Sequence, residues 1–160
     1  MKMRVSFLTA ILIACNVSFA QELTISSDSF HYDNQTGIAT YSGNVVATQG
    51  DRRLTGNHLE IYRNEKTGKM DTLIVQGKPA HYQGTVEPDK PPVFANANKI
   101  TYDVTKKFLT LTGNAEVKQN DDIYRAHQIE YDGIKDTVYS PPSKQGQTTI
   151  ILKDVENAGI

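Results

Sequence analysis

Tyr41-Ser42-Gly43-Asn44-Val45-Val46-Ala47-Thr48-Gln49 and, seventy residues on, Leu111-Thr112-Gly113-Asn114-Ala115-Glu116-Val117-Lys118-Gln119 are two copies of one phrase. The correspondence runs without a gap from Asp28–Tyr62 onto Asn98–Asp132, with identities at Tyr32/Tyr102, Asp33/Asp103, Thr40/Thr110, Gly43/Gly113, Asn44/Asn114, Gln49/Gln119, Asp51/Asp121 and Glu60/Glu130. Self-similarity at a fixed period is the signature of stacked structural units. A partial echo, Gly77-Lys78-Pro79-Ala80-His81-Tyr82-Gln83, lies between the copies, so the unit reads as a half-repeat of about 35 residues.

Working outward, nearly every segment alternates apolar with polar residues and none sustains a helical period. Strands are expected over Leu23–Tyr32, Ile38–Gln49, Leu54–Tyr62, Met70–Gln83, Phe94–Asp103, Phe108–Gln119, Ile123–Tyr131 and Thr148–Lys153. Turn residues punctuate them at Asp33–Gly37, Gly50–Arg52, Asn64–Gly68 and Asp132-Gly133. The fold class is therefore all-β and mostly antiparallel, built from stacked repeated β units. The prolines of Glu87–Pro92 and Pro141-Pro142 bound two pseudo-repeats, about 23–85 and 93–153, within a single domain spanning 21–160.

With period 2, one face carries Tyr41, Val45 and Ala47, then Leu109, Leu111, Ala115 and Val117; Leu59 and Ile61 match Ile129 and Tyr131, and Ile100, Tyr102 and Val104 form a further row. The opposite face is polar, with Thr40, Ser42, Asn44 and Thr48 and their partners in the second copy. The offset of seventy is even and keeps the phase, so both repeats build one apolar interior. Leu23 and Ile25 are out of phase with Phe30 and Tyr32, which implies a bulge near Ser26–Ser29. Gly43-Asn44 and Gly113-Asn114 read either as two-residue hairpin turns or as corners where a strand bends between facing sheets; alternation continuing across the Gly favours the corner.

Lys2 and Arg4, the apolar run Val5–Val17 and the small residues before Gln21 form a secretory signal peptide over 1–20, cleaved after Ala20. Leu12-Ile13-Ala14-Cys15 also resembles a lipoprotein processing box, but its use would leave a short apolar core. Cleavage after Ala20 removes the single cysteine, so thiol chemistry drops out and the fold must rely on its apolar interior. It also lowers the bases from 17 to 15 against 18 acids, a net charge of about −3, and nucleic acid is not an expected partner. His31, His58, His81 and His127 stand singly, without metal-ligand spacing, and no phosphate loop or nucleophile elbow occurs; neither catalysis, a metal nor a cofactor is expected.

With Tyr41–Gly50, Gly77-Lys78-Pro79-Ala80 and Leu109–Ala115 in register over Leu23–Leu152, the chain resembles the OstA-like family of LptA-type periplasmic lipopolysaccharide transport proteins. The resemblance implies an open, curved antiparallel β-jellyroll of stacked repeated β units whose interior holds the acyl chains of lipid A. It further implies head-to-tail self-association and partners at both edges: an LptC-like inner-membrane protein at the N-terminal edge and an LptD-like outer-membrane protein at the C-terminal edge. Carried over by position, the lipid-facing residues would be Leu23, Ile25, Tyr41, Val45, Ala47, Leu59, Ile61, Leu73, Val75, Tyr82, Ile100, Tyr102, Val104, Leu109, Leu111, Val117 and Ile129. Thr148, Ile150 and Leu152 would form the oligomer edge. An exported β-helical carbohydrate-active enzyme and a purely structural β-repeat spacer are the competing readings; the first would need carboxylates converging on one face, whereas the acids here gather at turns.

Overall fold

A computed structural model of the chain describes residues 21–85 and 89–153. The expected leader with its two processing sites, Glu87-Pro88 of the linker, and Asp154–Ile160 lie outside the described residues. The described chain forms one antiparallel ten-stranded sheet. Its strands are β1 (Leu23–Ser26), β2 (Ser29–Asp33), β3 (Ile38–Gln49), β4 (Arg52–Arg63), β5 (Met70–Gly84), β6 (Val93–Asp103), β7 (Phe108–Gln119), β8 (Asp122–Asp132), β9 (Thr137–Tyr139) and β10 (Thr149–Ile151). β3 to β8 follow one another as a meander; β1 and β2 both pair with β3 at one end, and β9 and β10 both pair with β8 at the other.

Each long strand breaks its register near its middle, and the β4–β5 pair shifts again at its end between Tyr62 and Arg63. β3 pairs with β4 on either side of a shift between Ser42 and Val45, and β7 pairs with β8 on either side of one between Thr112 and Ala115. At both places a Gly and an Asn take positive φ, 79° and 45° at Gly43-Asn44 and 82° and 50° at Gly113-Asn114, which Gly and Asn tolerate best. These are corners, not hairpin turns, since the strand continues beyond them to Gln49 and to Gln119. β5 makes the same break between Gln76 and Ala80, where the third glycine of the repeat lies. The corners fold the sheet into two walls. Asp28 and Asn98, themselves seventy residues apart, stand against Gly43 and Gly113, where any side chain would collide with them.

The bulge expected near Ser26–Ser29 is a full break. β1 follows the distal half of β3 and β2 its proximal half, while the Asp28 N–H donates to the Gly43 carbonyl at 2.9 Å across the corner. The last strand is shorter than expected, Thr149–Ile151, and β9, which the alternation did not mark, occupies Thr137–Tyr139.

One wall ends in a row of four related turns. In each, an Asp or Asn side chain accepts from the backbone two or three residues on: Asp33 from Gln35 at 2.8 Å, Asn64 from Lys66 at 3.0 Å, Asp103 from Lys106 at 2.9 Å and Asp132 from Ile134 at 3.0 Å. The residue four places after the acceptor has positive φ, namely Gly37, Gly68, Lys107 and Asp136. These backbone bonds stabilise the ionised carboxyls and hold Asp33, Asp103 and Asp132 below the usual Asp value of 3.8. The acids at turns thus have a structural task.

Candidate functional site: an apolar groove between two walls

Cross-strand pairing places inward side chains in four parallel rows. Two flank the corner: Tyr41, Leu59, Val75, Ile100, Leu111 and Ile129 on one side, and Val45, Gly56, Ala80, Ala97, Ala115 and Ala126 on the other. The second row consists of small residues, with Val45 the largest, as befits the place where the walls converge and their backbones come closest. Two more rows lie farther out, one on each wall. Ile25, Ala47, Leu54, Tyr82, Ala95, Val117, Tyr124 and Ile150 stand across from Ala39, Ile61, Leu73, Tyr102, Leu109 and Tyr131.

Depth divides the residues named from the sequence. Val45, Ala47, Leu59, Ile61, Val75, Ile100, Leu111 and Ile129 are buried against other side chains and form the core, with Leu59 and Val75 at 0% exposure. Ile25, Tyr41, Leu73, Tyr82, Leu109 and Val117 are only partly buried and pack against that core from the inward face. Tyr102 is half-buried on the same face. Leu23 pairs with Gln49 at the mouth and is exposed. Val104 departs from its expected row: β6 ends at Asp103, and Val104 lies in the following turn with its N–H on the Asp71 carbonyl at 2.9 Å.

Leu54 and Tyr124 pack against the same core from the inward face and were not named from the sequence. In β3 and β7 the Gly-Asn corner steps from Tyr41 to Val45 and from Leu111 to Ala115, four residues, so alternation survives. In β4 and β8 the inward residues on the two sides of the corner are Gly56 and Leu59, then Ala126 and Ile129, three apart. An odd step flips the face, so counting back from Leu59 places Leu54 outside. The recoverable signal was the repeat itself, since Leu54 and Tyr124 are seventy residues apart.

The outer face carries polar cross-strand pairs. Ser42 Oγ and His58 Nδ1 are 3.1 Å apart, His58 Nε2 and Glu60 Oε1 3.1 Å, and the Tyr62 hydroxyl donates to Glu60 at 2.7 Å. The Tyr62 hydroxyl first, and His58 second, hold the Glu60 carboxyl below its usual range. In the second repeat the corresponding residues make one such bond, Gln128 Nε2 to Glu130 at 2.6 Å, so a histidine is not required there. Among the described residues no group of three or more His, Cys, Asp or Glu side chains could hold a metal ion.

The inward rows form one continuous apolar face along a folded antiparallel sheet. Residues 24–137 match the profile of the family described as LptA/(LptD N-terminal domain) LPS transport protein, and the chain belongs to that family. It is 33% identical over 156 residues to the lipopolysaccharide export system protein LptA of Haemophilus influenzae, covering 93% of this chain and 90% of that one. It is 33% identical over 129 residues to the export protein LptH of Pseudomonas aeruginosa, covering 81% of this chain and 73% of that one. The crystal structure of LptH, described as the LptA-homologous periplasmic component of the lipopolysaccharide transport device of that organism, superposes with a TM-score of 0.73 at 28% identity. The superposition covers 83% of this chain and 96% of LptH.

Proposed function

We propose that this protein is a non-enzymatic periplasmic carrier of lipopolysaccharide that holds the lipid A acyl chains between its walls and passes them along a head-to-tail bridge. On this reading residues 1–20 are removed on export and 21–160 work as one domain. An LptC-like protein docks at the β1/β2 edge and an LptD-like protein at the β9/β10 edge. The observation that carries the bridge is that the inward rows run out uncovered at both ends of the sheet. Leu23, Phe30 and Tyr32 are exposed at one end, Val138, Ile150 and Leu152 at the other. Among the described residues β1 and β2 pair with β3 alone, and β9 and β10 with β8 alone, so each end also presents backbone donors and acceptors to another chain.

The two ends differ in sequence, so pairing between copies is heterologous and yields open filaments. The mature protein is expected to form concentration-dependent oligomers without a fixed upper size in sedimentation velocity. Ile150→Pro, or truncation after Gln147, should return it to the monomer with its β spectrum retained, because Ile150 pairs with Tyr124 at the rim and not in the core. A wild-type monomer at high concentration, with neither change affecting lipid transfer between copies, would leave a shuttling carrier and remove the bridge.

A further inference from the structure

We infer that Arg52 is the anion subsite of the groove, the point at which the phosphate of an acylated glycolipid is held while its chains lie between the walls. This inference rests on the carrier reading and adds to it a polar contact at a defined place. Arg52 opens β4 opposite Gln49 and is in phase with Leu54, on the inward face. Its neighbour Arg53 pairs with Thr48 and Gln83 on the outward face, in a shallow depression with Phe94 and Asn96. Consecutive arginines therefore serve opposite surfaces.

Three observations fix the Arg52 side chain at the mouth. A side chain at Gly84 would collide with Cα and Cγ of Arg52, so the arginine stem lies against β5 at this point. Arg52 Nε donates to the Thr85 carbonyl at 3.3 Å, and its terminal nitrogens have no hydrogen-bond partner among the described residues. Tyr82, two residues before Gly84, has its hydroxyl pKa raised, chiefly by burial; Arg52, Asp51 and Tyr102 of the facing wall all act on that hydroxyl. The Arg52 guanidinium thus stands at the lip where the inward row of Leu54 and Tyr82 ends, with the Asp51 carboxylate engaged by the Thr85 N–H at 2.9 Å. The planar fork of Arg suits two phosphate oxygens at once.

The second repeat shows why there is one such place. Seventy residues on, Arg52 is replaced by Asp122, whose carboxylate accepts the Lys153 N–H at 3.1 Å. Beside an aspartate common to both halves, Asp51 and Asp121, this one position is a cation in the first half and an anion in the second, so a phosphorylated ligand is held at the first.

The test compares wild type, Arg52→Gln and Arg53→Gln, each as mature protein at low ionic strength, for binding of hexa-acyl lipid A bearing two phosphates and of the same lipid after dephosphorylation. An exposed ion pair supports a preference of about fivefold for the phosphorylated form. Arg52→Gln should abolish that preference while binding both lipids, Arg53→Gln should keep it, and inorganic phosphate at matched ionic strength should not displace the lipid. Retention of the preference by Arg52→Gln, or equal loss in both variants, would overturn the subsite and leave the groove standing. Displacement by inorganic phosphate would make Arg52 a free-anion site and overturn the headgroup assignment. Failure of wild type to bind either lipid would overturn the carrier reading, and the subsite with it.

Discussion

Leu109→Asp and Val117→Asp, one on each wall, are expected to lower affinity for lipopolysaccharide by more than about a hundredfold while the β spectrum is retained, whereas Thr110→Asp and Lys118→Asp change it little. The magnitude follows from the ligand. Each buried methylene contributes about 0.8 kcal/mol, so a chain of about twelve could gross roughly 10 kcal/mol, against at most about 1 kcal/mol for an exposed ion pair. A carboxylate in the groove must be desolvated under the acyl chain, at a cost of several kcal/mol. Leu109 and Val117 are suited to the test because they are only partly buried in the unliganded protein, and Thr110 and Lys118 point outward beside them. Alternation alone would select Val45 or Leu111, but these are 2% and 1% exposed, and an Asp there would unfold the protein before it reported on the ligand. The measurement is saturable binding of lipopolysaccharide to folded variants; unchanged affinity of Leu109→Asp would contradict the groove.

Leu59→Ala should destabilise the protein by about 2–5 kcal/mol, a large share of the roughly 5–15 kcal/mol typical of a folded domain. Leu59 is fully buried beside the corner, between Tyr41 of β3 and Val75 of β5, where the register breaks hold the backbone and limit collapse around the lost side chain. Leu23→Ala, at the exposed mouth, should fall within about 0.5 kcal/mol of wild type. Urea unfolding with a common slope decides it, and equal midpoints for the two variants would show that the core is misassigned.

The sequence disclosed what depends on period and on local turn chemistry. The boundaries of β3 and β7 were legible because their corners preserve alternation, and the Gly-Asn pairs identified themselves through the seventy-residue offset. Leu54 went unnamed, because the corner of β4 takes an odd step that no glycine pair announces. β9 was missed since three exposed residues between Asp136 and Ser140 carry too little pattern to mark a strand. Period 2 reports which face a residue occupies but not its depth, so Leu59 and Leu109 looked alike although one closes the core and the other lines the groove. Proximity across the walls, such as Tyr82 with Tyr102, arises only when the sheet folds at its corners, and neither residue spacing nor the repeat encodes it locally.

The central claim, that lipid lies between the walls and not on the outer face, is tested most directly by photo-crosslinking at two consecutive apolar positions of β5. Leu73 points inward beside Ile61 and Tyr102, and Ile74 points outward between Glu60 and Thr101. With a photoreactive residue at either position in mature protein loaded with lipopolysaccharide, the account predicts a lipid adduct at position 73 and none at 74. Equal adducts at both positions, or an adduct at 74 alone, would contradict it.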